Sequence, residues 1–301
     1  DPFESDFFRY FVLNFKRFGL KRLITTSYKP SPLANTQLEL LSEEPSTNRQ
    51  KKRTQVTANK FVINTVQEID GELSLQVVAN QLKKNKANEW TPLKGNGDFR
   101  SEECIALLKQ ADIVVTNPPF SLFREYVKQL MEHRKKILII GSKNSLTYKE
   151  VFPLIMTNQI WTGVTGFNKD MLFKAPTGAD LTQKAKTAIK TVEGVSLLRS
   201  PSIWLTNLDH GRRHQPLPLM TMKENLKFNI KLKSKKKYEQ YDNYKAIEVP
   251  FTNAIPSDYP GCMGVPISFL DKYNPDQFEI CGCSYSYGDP VGYRKKGKGY
   301  S

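Results

Sequence analysis

Residues 112–120 of this chain read DIVVTNPPF. The β-branched run Ile113–Thr116 is typical of a buried β-strand. Two prolines follow Asn117, and they cannot continue a strand ladder because neither has a backbone N–H. A residue that precedes proline is held in extended geometry. The strand is therefore predicted to end in a stiff turn that carries a polar amide and then an aromatic ring, Phe120.

Short apolar runs and amphipathic helices alternate on both sides of this strand. Upstream, Ser101 is predicted to cap a helix whose first turn holds Glu102 and Glu103. Downstream, the pattern predicts helices at about 121–134 and 147–157 and strands at 135–141, 159–165, 170–174 and 202–207. This β-α-β order predicts an open parallel α/β sheet, in which ligands bind beyond the carboxyl ends of the strands.

The first hundred residues have a pattern of their own. Apolar residues at helical spacing predict a helix at 6–18 with Gly19 as its C-cap, followed by a buried strand at 20–28. Residues 29–60 are rich in Pro, Ser, Asn and Lys and are predicted to form a basic surface insertion. Two strand-like segments flank Asp70-Gly71, which predicts a β-hairpin there.

The composition favours a polyanionic partner. Lys and Arg number 45 against 30 Asp and Glu, a net charge of +15, which suits nucleic acid. A basic surface without a ligand and a membrane surface are the weaker alternatives. No apolar run approaches the roughly 18 residues of a membrane span, and the sequence shows no secretory n-region and h-region, so a cytoplasmic protein is predicted.

The cysteines and histidines do not predict a metal site. All four cysteines are expected to be free thiols, and the pair Cys281 and Cys283 lacks further ligands at workable spacing. His210 and His214 lie four residues apart, but Gly211 between them weakens the helix that such a pair would need.

The composition of the chain changes at about residue 208, after which strands are harder to identify and Pro and Tyr are more frequent. Residues 1–208 are predicted to form the main α/β domain, and 209–301 a smaller, basic region. Within that region, residues 211–245 hold ten Lys or Arg against three acids, a local charge of +7. This segment is a candidate for contacts with phosphate groups.

The Asn-Pro-Pro-Phe turn suits the handling of a planar amine. The side-chain oxygen of Asn117 and the carbonyl of Pro118 can each accept one hydrogen of an amine, and Phe120 offers a face on which a flat ring can stack. An aromatic amine is a poor nucleophile because its lone pair is delocalised into the ring. Two acceptors would bias its nitrogen toward tetrahedral geometry without a metal or strong base.

This arrangement resembles a known family. A buried strand that ends in Asn-Pro-Pro-aromatic is the catalytic motif of amino-methyltransferases that use S-adenosylmethionine. The wider sequence is similar to the EcoRI-type adenine-specific DNA methyltransferases over most of the chain. The segments that carry the resemblance are DPFESDFFRYFVLNF (1–15), the long stretch GDFRSEECIALLKQADIVVTNPPFSLFREYVKQLM (97–131), IWLTNLDHGRRH (203–214), YDNYKAIEV (241–249) and GVPISFLDKYNPDQFEI (264–280).

The resemblance implies a fold and an activity. The fold would be the Rossmann-like sheet of an S-adenosylmethionine-dependent methyltransferase at 1–208, with a DNA-recognition region at 209–301. The reaction would transfer a methyl group from S-adenosylmethionine to the exocyclic amino group of a flipped adenine in double-stranded DNA, at a specific site. The catalytic residues would be Asn117, Pro118, Pro119 and Phe120.

The resemblance also implies cofactor-binding positions. The carboxylate of Asp98 would accept the adenine amine of the cofactor, and Phe99 would cover its ring. The chain begins at Asp1 without Met, where the family has a strand before the acidic residue, so an N-terminally trimmed chain is expected. An acid usually ends the second strand, and Ser27 stands there instead. The cofactor positions fall on Asp1, Pro2, Ser5, Ser27, Asp98, Phe99 and Asn117.

The DNA would be held by aromatic and basic side chains. A flipped adenine would stack on Phe120 and on a second aromatic, Phe173 or otherwise Trp161. Phosphate contacts are expected from the insertion and from the +7 segment. The candidates in that segment are Arg212, Arg213, Lys235, Lys236 and Lys237.

Two rival functions remain open at this point. One is an amino-methyltransferase that acts on RNA or on a protein glutamine, whose amide presents the same planar amine. The other is a catalytically silent DNA-binding protein. A DNA methyltransferase could be accompanied by a restriction endonuclease, without a stable complex, or act alone; no metal or membrane partner is expected.

Overall fold

The computed structural model describes residues 2, 5–30, 57–67, 77, 80, 87–174, 188–232, 235–242 and 244–283. Most of the predicted insertion at 29–60 lies outside these residues. The chain comprises two compact units, the first formed by residues 1–119 and 128–139 and the second by 120–127 and 140–301. The chain therefore leaves the first unit directly after the second proline of the DIVVTNPPF motif.

The first unit begins with helix α1, Asp6–Leu13. Ser5 is its N-cap, because its hydroxyl oxygen accepts a hydrogen bond of 3.1 Å from the Phe8 N–H. Phe8 and Val12 lie one turn apart on the same face and are both buried. This face anchors α1 in the core of the unit.

Helix α1 is shorter than the predicted helix at 6–18. It ends at Leu13, and the Asn14 side chain donates a hydrogen bond of 2.8 Å to the Tyr10 carbonyl. An amide that bonds the preceding turn in this way competes with helix propagation. Gly19 has a φ of +60°, and residues 15–20 bond back in the pattern that closes a helical turn on a left-handed glycine. Gly19 thus closes this turn, although the helix itself stops earlier.

Three antiparallel strands follow, in the order β1-β2-β3. The Phe61 ring of β2 is stacked on the Trp90 ring of β3 with centroids 5.9 Å apart, and Phe61 and Ile63 are buried. The strands are β1 Leu23–Thr26, β2 Asn59–Ile63 and β3 Glu89–Pro92.

This sheet differs from the predicted hairpin around Asp70-Gly71. Strand β2 pairs with β1 and β3, and Val77 and Asn80, from the predicted second strand, are helical. The other residues of that segment lie outside the described part of the chain. Local alternation indicated a strand at β2 correctly, but it carried no information about partners that are distant in sequence.

The first unit continues into the motif. Helix α2, Glu102–Gln110, has Ser101 as its N-cap and two glutamates in its first turn, as predicted. Strand β4, Ile113–Thr116, then pairs in parallel with β5, Lys136–Ser142. Between them runs α3, Phe123–Glu132, so this part of the chain is a β-α-β crossover.

The second unit contains the later strands. Strand β6 pairs antiparallel with β10, and β7, β8 and β9 form an antiparallel sheet in the order β7-β9-β8. The core includes Ile203 and Leu205, which are almost completely buried. The elements are α4 Phe152–Met156, β6 Trp161–Thr162, β7 Met171–Lys174, β8 Ile189–Val192, β9 Val195–Ser200 and β10 Ser202–Thr206.

The basic C-terminal part of this unit has little regular structure. Helix α5, Met222–Phe228, begins with a capping box between Thr221 and Glu224. Two short parallel strands follow, β11 Ala246–Glu248 and β12 Cys262–Gly264.

All four cysteines are free thiols, as predicted. Among the described residues, no helix is long and apolar enough to cross a membrane.

The fold is mixed α/β, and its sheets are more varied than the single parallel sheet that was predicted. The strands of the motif belong to a sheet of order β4-β5-β10-β6. In that sheet β4 and β5 are parallel and β10 and β6 are antiparallel. The predicted boundary at residue 208 stays a prediction.

Candidate active site

The motif presents its amide and buries its first proline. Asn117 and Pro119 are exposed, whereas Thr116 and Pro118 are buried. The buried proline fixes the turn, because its ring is packed and its φ is locked. The Asn117 side chain is thereby held at the surface, at the carboxyl end of a parallel strand, where an α/β sheet binds its ligands.

Strand β4 is less buried than its sequence predicts. Ile113 is 48% exposed, and burial increases along the strand toward Thr116. Among the described strands β4 pairs with β5 alone and is the first strand of its sheet. An edge position explains this exposure, because a strand that is paired on one side only leaves its other side open to solvent.

Phe120 opens the second unit and remains accessible. It starts a short 3-10 helix, Phe120–Leu122, that leads into α3. Its side chain is 48% exposed. A ring held at the start of a helix and open to solvent can accept a planar partner on its face.

Asp98 lies in the turn that precedes α2. Its two carboxylate oxygens accept hydrogen bonds of 3.0 and 2.8 Å from the Arg100 guanidinium, and one of them also accepts from the Arg100 backbone N–H at 2.9 Å. The Arg100 side chain therefore lowers the pKa of Asp98, against a smaller opposing effect of burial. A carboxylate offers about four lone-pair sites, so one acceptor site stays open on the oxygen that receives a single bond.

The residues around Asp98 hold this turn in place. The Ser101 hydroxyl and backbone N–H both donate to the Asp98 carbonyl, at 2.8 and 3.0 Å. The Phe99 carbonyl accepts a hydrogen bond of 3.0 Å from Gln129. The Arg100 guanidinium lies 5.4 Å from the centre of the Phe99 ring. The predicted pair of carboxylate and aromatic is thus rigidly placed.

The structure brings this turn against the end of β1. A Cβ added to Gly97 would lie 2.0 Å from the Ser27 carbonyl oxygen, and Gly97 has a φ of +78°. The Lys29 N–H also donates to the Asn96 carbonyl at 2.8 Å. Two of the predicted cofactor positions, Ser27 and Asp98, therefore lie on neighbouring backbone segments.

The Ser27 side chain has a structural partner. Its hydroxyl accepts a hydrogen bond of 2.8 Å from the Asn59 N–H, and the residue is 3% exposed. Ser5 caps α1 with its hydroxyl, and the Pro2 carbonyl accepts from the Ser5 N–H at 3.1 Å. Asp1 lies outside the described residues. Pro2 and Ser5 thus belong to the turn that leads into α1.

The two candidates for the second stacking aromatic, both in the second unit, differ in accessibility. Phe173 is 41% exposed on β7. The Trp161 indole donates to the Leu208 carbonyl at 3.1 Å, and the Arg213 guanidinium covers its ring at 3.8 Å from the centre. A face of Trp161 is therefore already occupied.

The two arginines that were predicted to contact phosphate have internal partners. Arg212 forms an ion pair of 3.0 Å with Asp271, whose side chain is 6% exposed, and also donates to the Val164 carbonyl. Arg213 donates to Asn158 at 2.8 Å, and burial lowers its pKa. Both side chains thus connect segments of the second unit.

The remaining basic and histidine candidates are placed as follows. Lys236 and Lys237 are exposed, and Lys235 forms an ion pair of 2.9 Å with Glu239.

The two histidines contact different partners. The Nε2 atom of His210 lies 2.9 Å from the Thr162 carbonyl oxygen, and the Nε2 atom of His214 lies 2.7 Å from the Asp209 carboxylate. In the described part of the chain, no group of three or more metal-ligating side chains occurs.

Arg100 and Gly97 were missed by sequence reasoning. The signal for Arg100 was weak, since an arginine two residues after an acid is common on surfaces. The sequence Asn96-Gly97-Asp98 was a clearer sign of a turn with positive φ. What it could not show is the approach of Gly97 to Ser27, seventy residues earlier.

A parallel strand that ends in Asn-Pro-Pro-Phe within a mixed α/β chain is typical of the class of amino-methyltransferases. Within that class, the profile of the family described as "Adenine-specific methyltransferase EcoRI" matches residues 1–299, and the chain belongs to this family. It is a site-specific DNA adenine methyltransferase, as the resemblance predicted. The family implies a methyl donor.

Three curated relatives carry the name Type II methyltransferase. M.EcoRI from Escherichia coli is 41% identical over 93% of this chain and 75% of its own length. M.MgeORF184P from Mycoplasma genitalium is 36% identical over 94% and 73%. M.MpnI from Mycoplasma pneumoniae is 34% identical over 94% and 72%. No solved structure matches the chain.

Proposed function

We propose that the methyl donor is S-adenosylmethionine and that the acceptor is the exocyclic amine of an adenine flipped out of duplex DNA. The observation that carries this proposal is the exposed Asn117 beside the buried Pro118, at the carboxyl end of β4. The class of reaction, methyl transfer to adenine in DNA, follows from the family. The identity of the methyl donor, the flipping of the base and the roles of the individual residues are what we propose in addition.

The residues of the first unit fit the proposed cofactor. Gly97 lets the Asp98 turn pack directly against the Ser27 backbone, and Asp98 keeps an acceptor site for an amine while Arg100 keeps it ionised. Phe99 would cover the cofactor's ring. When bound, S-adenosylmethionine supplies an electrophilic methyl group. We assign it to a Rossmann-like binding edge that also includes Asp1, Pro2, Ser5, Ser27 and Asn117.

The chemistry of the motif is one of positioning. The side-chain oxygen of Asn117 and the Pro118 carbonyl each accept one hydrogen of the adenine amine. The nitrogen is then held near tetrahedral geometry with its lone pair directed away from the ring. Pro118 and Pro119 keep both acceptors from relaxing, so the turn does not reorganise during the reaction.

The flipped base needs aromatic surfaces. Removing a base from the stack costs a few kcal/mol, and stacking on side chains offsets part of it. Phe120 and Phe173 are 48% and 41% exposed and offer open faces. We favour them over Trp161, because Arg213 covers a face of its ring.

We assign DNA recognition to the basic region 209–301 and catalysis to residues 1–208. The exposed Lys236 and Lys237, with Lys235, suit phosphate contacts. The phosphate role of Arg212 and Arg213 stays a prediction, and their internal partners favour a supporting role instead. We also propose that a separately encoded endonuclease accompanies this chain without a stable complex, in keeping with the Type II methyltransferase names of the relatives.

The decisive experiment offers the protein three substrates. The purified protein would be incubated with tritiated S-adenosylmethionine and with duplex DNA, RNA or protein, and the DNA would then undergo modified-base sequencing. We expect label in DNA alone, at one adenine of a fixed short sequence. Label in RNA or protein but never in DNA would contradict the proposal, and no transfer to any substrate would favour a silent DNA-binding protein.

A further inference from the structure

A cavity in the second unit is separate from the residues assigned to catalysis. Its volume is about 400 Å³, and it opens to solvent. Its polar lining combines ammonium, amide and hydroxyl groups, which come from Lys231, Lys272, Asn168, Asn253, Thr252 and Ser268.

The charge balance of this cavity is positive. Its carboxylate, Asp271, is 8% exposed and is already paired with Arg212 at 3.0 Å. Lys231 and Lys272 are exposed, and in the described residues neither forms an ion pair with a carboxylate. Two lysines thus face the cavity without a neutralising partner among its lining groups.

Lys231 is held in place while its charge stays available. Its Nζ lies over the Phe251 ring, 4.4 Å from the centre. The backbone N–H of Lys231 donates a hydrogen bond of 3.2 Å to the side-chain oxygen of Asn229. Asn229 is 7% exposed, and its side-chain amide donates to the Asn253 carbonyl at 3.3 Å. A cation–π contact of an exposed lysine is only weakly stabilising, so a charge-assisted bond to an anion can replace this contact.

Lys272 and Asn168 are placed by the buried ion pair. Asp271 precedes Lys272 and ends the short 3-10 helix Ile267–Asp271. One of its oxygens accepts both from Arg212 and from the Phe167 N–H, the latter at 2.6 Å. The Asp271 carboxylate therefore holds Phe167, the residue before Asn168, next to the segment that carries Lys272, and both Asn168 and Lys272 line the cavity.

We propose that this cavity binds the phosphodiester backbone of duplex DNA, through Lys231 and Lys272 with help from the lining hydroxyl and amide groups. The inference rests on the proposed function, which supplies DNA as the substrate. Ammonium and hydroxyl donors are the groups that proteins use on phosphate oxygens, where they position the duplex without reading its sequence. The cavity would thus act as a clamp that sets the register of the DNA.

The test is the salt dependence of DNA binding. Each Lys-to-phosphate contact releases about 0.9 of a counterion from duplex DNA. We expect Lys231→Gln and Lys272→Gln each to reduce the slope of log K against log salt by about 0.9, and the double variant by about 1.8. Binding at 0.1 M salt should weaken by about eightfold for each substitution, equally for two duplexes of unrelated sequence.

Two controls separate this site from the general basic surface. Lys149 is exposed in the same unit but does not line the cavity, and Lys149→Gln should leave the slope unchanged. Arginine at positions 231 and 272 keeps both charges, so the double Lys→Arg variant should keep the original slope. All variants are compared by fluorescence anisotropy on the full chain after their thermal unfolding has been matched.

Three outcomes would overturn the inference. They are an unchanged slope in the double Lys→Gln variant, an equal loss of slope in Lys149→Gln, and weakening confined to the duplex with the methylation site, which would mark base reading. Failure of the proposed function looks different. In that case the unaltered protein transfers no methyl group to DNA, whatever the variants do.

Discussion

Gly97 and Ser27 approach each other so closely that backbone atoms join two of the predicted cofactor segments. A Cβ on Gly97 would stand 2.0 Å from the Ser27 carbonyl oxygen and 3.1 Å from the Ala58 Cβ. The end of β1, the start of β2 and the turn before α2 therefore meet at a single glycine. A ligand bound by the Asp98 turn would therefore lie on a segment that this contact holds in place.

Substitution of Gly97 by alanine should damage both stability and cofactor binding. The φ of +78° and the contact with Ser27 leave no room for a side chain, and such strain costs about 2 kcal/mol or more. We expect a lower free energy of unfolding by urea denaturation and a weaker affinity for S-adenosylmethionine by calorimetry. Gly95→Ala is the matched control, because no atom lies within 4 Å of its added Cβ.

The Asp98–Arg100 pair should make stability depend on acid pH. The folded-state pKa of Asp98 lies below the ordinary value of 3.8, chiefly because Arg100 donates to its carboxylate. The stabilisation is therefore present above pH 3.8 and is lost as the pH falls through the folded-state pKa. We expect Arg100→Gln to be less stable than the unaltered protein near neutral pH.

This difference between the two proteins should shrink below pH 3.8, and the measurement is urea denaturation across pH 2.5 to 7, roughly the range in which carboxylates titrate. Arg17 is an exposed arginine of the same unit and provides the control substitution, Arg17→Gln. A stability gap for Arg100→Gln that stays constant down to the lowest pH would show that the pair does not stabilise the fold through charge.

Asn117 should act on the chemical step more than on folding. Asn117→Ala removes one of two proposed acceptors, and the loss of a single preorganised group of this kind costs about 100-fold in kcat or more. Asn117→Asp keeps an acceptor oxygen and should retain more activity than the alanine variant. Single-turnover methylation of duplex DNA measures the step directly, and an alanine variant with undiminished kcat would exclude the proposed role.

Local features of the fold were predictable from the sequence, and long-range contacts were not. The cap at Ser101 and the strand before Asn117 follow from residue types a few positions apart, so their signals are local. The pairing of β2 with β1 joins segments more than thirty residues apart, and no local pattern carries it. The same holds for the approach of Gly97 to Ser27.

The candidate site likewise contains features that the sequence could predict and contacts that it could not. The Asn-Pro-Pro-Phe turn and the family could be identified from the sequence, because their residues are contiguous or occur in a fixed order. The partners of the basic residues could not. Arg212 resembled a phosphate contact by its charge and neighbours, but its ion pair is with Asp271, fifty-nine positions later in the chain.

Arg212 provides the last prediction, which separates a structural role from a DNA contact. Asp271 is 8% exposed, so Arg212→Gln would leave a buried carboxylate without its partner, at a cost of about 3 kcal/mol. Adding Asp271→Asn removes the charge and should recover part of this loss. In the double variant no unpaired carboxylate remains beside the cavity lysines, so its salt slope of DNA binding should be unchanged at a temperature where it is folded. A slope lower by about 0.9, with little loss of stability, would instead make Arg212 a phosphate contact.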